Sequence, residues 1–179
     1  MEETKRRRFI IRAGLEGEVD VSDAPPGPVP EYPKTLTETD PGVDFGAFDI
    51  TKNTNTPPYV ANSNKSRIHC LGENALGYPI TMGKTYRITV PAGSAYAVGI
   101  RSFNEDAVAQ IEAVAAISAV NNYDSGWINF VDDTCTFTPR MINGKDPLCM
   151  WLGFKKTSNG LGNWTEVSDM MPVIITEEE

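Results

Sequence analysis

The sequence predicts a mainly β protein, a jelly-roll-like two-sheet β-sandwich with one inserted helix at about 105–120 and an extended Pro-rich N-terminal arm. Three observations carry that expectation. After Phe48, short runs of alternating apolar residues recur between Gly- and Pro-rich turns, the pattern of two antiparallel layers packed face to face. One stretch, rich in Ala, Glu and Gln, changes to helical periodicity. Finally, eight of the 13 prolines precede Ala61, so the front of the chain is short of the backbone donors that a sheet needs.

In chain order, residues 1–45 read as an arm or anchor, 46–176 as the sandwich domain and 177–179 as an acidic tail. Within the arm, Arg6 to Arg12 and Glu18 to Val21 have strand character around an Ala13-Gly14 turn, and Ala24 to Pro30 is extended and polyproline-like. A lone hairpin of this size is marginal in water, so the arm is expected to order against a partner. Its basic and apolar cluster, Arg6, Arg7, Arg8, Phe9, Ile10 and Ile11, is the expected contact. In the domain, strands are expected at Phe48–Thr51, Ser66–Cys70, Tyr78–Ile80, Thr85–Val90, Tyr96–Phe103, Gly126–Phe130, Cys135–Thr138, Leu148–Phe154 and Val173–Thr176. The inserted helix has Asn104 as its cap and Glu105 and Asp106 in its first turn, where the helix dipole favours acids. In the Leu148–Phe154 run, Leu148, Met150, Leu152 and Phe154 alternate with Cys149, Trp151 and Gly153, which puts Trp151 on the second face.

Composition narrows the function. A chain of 179 residues supports one core plus an extension. Its net charge of −8 repels nucleic acid, so no nucleic-acid partner is expected. The three cysteines, Cys70, Cys135 and Cys149, give neither a disulfide framework nor a metal spacing and read as buried thiols. No apolar run is long enough to span a bilayer or serve as a signal-peptide core, so no membrane partner is expected and the chain is expected to be made in a cytosol.

Catalytic chemistry finds little support. His69 is the one histidine, and Cys70 beside it in a strand points to the opposite face, so the two do not make a nucleophile pair. Asp132-Asp133 and Asp40 to Asp44 read as solvated turns rather than cation sites, and Gly160 to Trp164 as a turn rather than a phosphate loop. The expectation is a non-enzyme without catalytic residues, metal or cofactor. Sugar binding asks for less, an aromatic face with a few fixed polar groups beside it. Trp127, Trp151, Trp164, Tyr96 and Tyr123 supply aromatic area, with Arg101, Asp124 and Asn163 as hydrogen-bonding groups. Trp151 with Arg101 is the first choice, followed by Trp127, Tyr123 and Asp124.

From Ser66 onward the order of pieces resembles small β-sandwich modules of carbohydrate-binding type found in phage tail, baseplate and head-fibre proteins. The resemblance rests on Ser66-Arg67-Ile68, Tyr78-Pro79-Ile80, Gly83 to Ile88, Tyr96 to Ile100, Asp124-Ser125-Gly126-Trp127, Thr136 to Pro139 and Met150 to Lys156. It covers about residues 66–170 and departs from the pattern between Phe103 and Asp124, where such modules carry a short polar turn. It implies a jelly-roll sandwich in a non-catalytic virion structural or accessory protein, a head-fibre, decoration or tail component assembled in the host cytoplasm. The implied partners are other virion proteins through the arm, further copies of the chain in an oligomer such as a trimer, and a host-surface glycan. A stand-alone carbohydrate-binding module of a bacterial surface protein and a polysaccharide hydrolase are the alternatives.

Overall fold

The structure, a computed structural model, describes residues 32–46, 65–112 and 123–178. Among these run the strands β1 (Lys34–Leu36), β2 (Val43–Phe45), β3 (Arg67–Cys70), β4 (Tyr78–Pro79), β5 (Thr85–Thr89), β6 (Ala97–Asn104), β7 (Tyr123–Asn129), β8 (Thr134–Phe137), β9 (Pro147–Lys155) and β10 (Val173–Glu178), with helix α1 (Glu105–Glu112) after β6. They form two antiparallel sheets. One has the order β1-β10-β5-β8, and the other β2-β3-β9-β6-β7, with β4 pairing β9 beyond the end of β3. Among the described residues, no helix is long and apolar enough to cross a membrane.

Alternation explains why the sheets stack. Tyr86, Ile88, Val173 and Ile175 from the first sheet meet Ile68, Val98, Ile100, Met150, Leu152 and Phe154 from the second in one buried cluster. Residues between them, such as Arg87 and Ile174, face out. The connection from β7 to β8, which passes from one sheet to the other, turns through Asp132 and Asp133, both at positive φ (50° and 59°). Val131 and Thr134 exchange backbone hydrogen bonds across it at 2.9 and 3.1 Å. Positive φ at both central residues makes this a tight two-residue turn, and Asp tolerates the left-handed conformation better than most side chains. The pair is thus turn chemistry, as expected.

Part of the outer face of the second sheet is covered as well. Asn104 Oδ1 accepts the backbone N–H groups of Asp106 and Ala107 at 3.1 and 3.2 Å, capping α1 as expected. The helix lays Ala107 and Val108 on Phe103, Cys149 and Trp151, and Leu71 and Ala75 close the same cluster. The remainder of the expected helix, 113–120, lies outside the described residues.

Two expected boundaries shift. Residues 34–45, expected in the arm, supply β1 and β2, one edge strand for each sheet. These three-residue strands sit among turns and are held by register, not by a long apolar pattern. Glu177, expected in the tail, extends β10 opposite Tyr86, and Glu178 pairs opposite Thr85. Salt bridges to Lys84 and Arg87 favour that extension. The expected contact cluster Arg6 to Ile11 and the expected strand at Phe48–Thr51 lie outside the described residues.

Candidate functional site

Three cross-strand rows lie on the outer face of the second sheet. In the first, Ser125 on β7 faces Arg101 on β6, which faces Trp151 on β9. In the second, Trp127, Gly99, Gly153 and His69 follow one another across β7, β6, β9 and β3, with Asp44 on β2 beyond. The third runs Asn129, Ala97, Lys155 and Arg67.

The first row contains the pair singled out for sugar binding, and the structure removes one half of it. Trp151 is completely buried, its ring edge-on to Phe103 at 4.5 Å and its Nε1–H donating to the Ala75 carbonyl at 2.7 Å. An enclosed ring offers no face to a saccharide. Alternation identified the side of the sheet on which Trp151 lies, but α1 and the 71–75 segment, which decide what covers it, come from elsewhere in the chain. Arg101 is half-buried beside it. Trp164 is buried too, its Nε1–H donating to Ser94 O at 2.9 Å.

The second and third rows present exposed side chains at β7, Trp127 and Asn129, while His69 and Ala97 within them are buried. Trp127 is 49% exposed and Tyr96 39%. The indole of Trp127 lies over Gly99, where an added Cβ would come within 3.2 Å of Cε2, Cζ2 and Cη2. A glycine inside a strand often marks such a close approach, and that signal was legible in the sequence. Lys155 Nζ stands 4.9 Å from the Trp127 ring centre and 5.4 Å from that of Tyr96, and the Arg67 guanidinium carbon stands 5.5 Å from the indole. Backbone carbonyls pin both cations. Arg67 Nη1 donates to Ser66 O and Gly160 O at 2.9 and 3.1 Å, and Lys155 Nζ to Ser158 O at 3.3 Å. Asn129 Nδ2 donates to the Tyr96 hydroxyl at 3.3 Å. The result is a half-exposed indole with two cations held over its ring. Arg67 and Lys155 were missed as site residues because only strand register brings them to Trp127.

Asp124 belongs elsewhere. Three residues before Trp127, it points to the opposite face of β7, into a cleft of about 230 Å³ between the β7 and β8 edges. Arg140 closes on it with two parallel hydrogen bonds, Nε to Oδ2 and Nη2 to Oδ1, each 3.0 Å. Tyr123 opens β7 opposite Phe103. The structure therefore does not gather Trp127, Asp124 and Trp151 into one site.

Comparison of the chain with family models, curated proteins and solved structures gives no match. His69 is buried, with Gly46 against its imidazole, and burial pushes its pKa down to about 4 against a smaller upward pull from Asp44. Such a ring is neutral at physiological pH. Cys70, Cys135 and Cys149 are free and buried, and burial pushes the thiols of Cys135 and Cys149 up to about 12. Poorly ionised thiols are weak nucleophiles. Among the described residues, no cluster of three His, Cys, Asp or Glu side chains is placed to hold a metal ion.

Proposed function

We propose that this chain is a non-catalytic attachment component of a phage particle, a jelly-roll sandwich that holds a host-surface glycan on the Trp127 platform. One observation carries the reading. A large indole stays half-exposed, held flat against a glycine floor, with polar groups fixed around it. Leaving such apolar area in water costs about 25 cal/mol per Å², and a saccharide that stacks its apolar face there recovers part of that cost while its hydroxyls meet the surrounding donors. The passage of the chain between sheets, from β1 to β2, β4 to β5, β5 to β6, β7 to β8, β8 to β9 and β9 to β10, supports a jelly roll. The particle setting is supported by the resemblance of residues 66–170 to phage modules and by the Pro-rich segment ahead of them.

Glycan-array binding of the full chain, compared with its Trp127→Ala and Trp151→Ala variants, tests the platform. Trp127→Ala should lower affinity about tenfold or more, as a central aromatic anchor does, and leave the unfolding midpoint nearly unchanged. Trp151→Ala should instead cost about 3 to 5 kcal/mol of stability, with binding retained by whatever fraction stays folded. Silence across the array, or binding indifferent to Trp127, would remove the platform reading. Failure to copurify with particles would remove the virion reading.

A further inference from the structure

We propose that the Trp127 platform selects acidic saccharides, those bearing carboxylate or phosphate groups, through Arg67 and Lys155. The inference rests on the saccharide reading above and names the ligand class of that same site. It starts from a contrast among the cations. Lys84, Arg87, Arg140 and Lys145 each sit within 3.3 Å of a carboxylate. Among the described residues, Arg67 and Lys155 have no such partner, and neither do Lys34, Lys65 and Lys156, but only Arg67 and Lys155 stand over the Trp127 ring. Their polar contacts are backbone carbonyls and their remaining contacts aromatic faces. Carbonyls fix a cation's position without neutralising its charge, so both retain a field directed at an anion.

The mounting of Arg67 is specific. Gly160, at φ +69°, passes so close that an added Cβ would stand 2.6 Å from Nη2. A Cβ at that position would displace the guanidinium, which two carbonyl hydrogen bonds hold beside the indole. A pyranose packed on the exposed part of Trp127 would then bring a ring carboxylate, or a phosphate on the neighbouring residue, within reach of the two cations over that ring. A neutral sugar would leave both charges unanswered. Single-stranded nucleic acid also combines stacking with phosphate, but its charge continues along the chain. Two cations on a surface of net charge −8 favour a short acidic ligand over a polyanion.

Titration calorimetry of the full chain with trigalacturonate, a glycerol-phosphate oligomer, a neutral galactose trisaccharide and oligo-dT provides the test. At least one acidic saccharide should bind about tenfold more tightly than the neutral one at low salt, with the gap closing in high salt as screening shortens to a few Å. Lys155→Met should remove most of the gap and Lys155→Arg should keep it. The first two probes distinguish carboxylate from phosphate recognition. Equal binding of neutral and acidic saccharides, both lost in Trp127→Ala, would overturn the acidic selectivity while leaving the saccharide reading standing. Binding of none of the saccharides, here and on the array, would overturn both. Tightest binding of oligo-dT would overturn the proposal in favour of nucleic acid.

Discussion

His69 and the tryptophans separate what a sequence says about a residue from what only a fold can say. A histidine flanked by Ile68 and Cys70 in a strand read as structural, and it is enclosed under Gly46. Its lowered pKa has a consequence for stability. The unfolded imidazole takes up a proton near pH 6.5 while the folded one resists until about pH 4, so the contribution is fully present above 6.5 and is lost as pH falls through that interval. The loss is on the order of 3 kcal/mol by pH 4. Urea unfolding at pH 7.5 and pH 5 should show the decline, and a His69→Leu variant should flatten the part that exceeds carboxylate titration. Equal slopes in the two proteins would assign the pH dependence to other groups. Trp127 and Trp151, by contrast, carried the same signal in the sequence, both being strand aromatics on the outer face. One is roofed by α1 and the 71–75 segment and the other is not. That distinction depends on contacts distant in the chain.

At the scale of elements, legibility followed the length of the pattern. β5, β6 and β9 were read from their alternation because each carries enough residues to bury a face. β1 and β2 carry three residues each and were absorbed into the arm, since their strand state is fixed by pairing with β10 and β3. The start of α1 was legible from Asn104 for a local reason, a side-chain oxygen that accepts the first free N–H groups. The same side chain also reaches across to tie the 142–145 turn, its Nδ2 donating to Ile142 O at 3.1 Å. Asn104→Ala therefore removes a cap and one of the two donors to the Ile142 carbonyl, which keeps the Lys145 N–H at 3.1 Å. A loss of about 1 to 2 kcal/mol is expected, measurable by denaturant titration. Asn104→Asp should restore the cap but not the second bond. A wild-type midpoint in Asn104→Ala would show that α1 does not depend on its cap.

At the scale of the molecule, the described part of the sandwich begins with β1 at Lys34, and its two sheets pair from there onward. The two-layer body was legible because the repeated alternation after Phe48 admits few other ways to bury so many apolar faces. The role of the arm follows from a different physics. A Pro-rich segment of mixed charge cannot make a core of its own, so the attachment reading gives it an intermolecular role. Deleting residues 1–31 should then leave the thermal midpoint of the sandwich within a few degrees of the full chain, while light scattering reports a smaller assembly and particles no longer retain the protein. The two measurements separate the possibilities. A truncated chain that unfolds at much lower temperature would make the segment part of the fold, whereas one that keeps the full assembly mass would move the oligomer contact onto the sandwich itself.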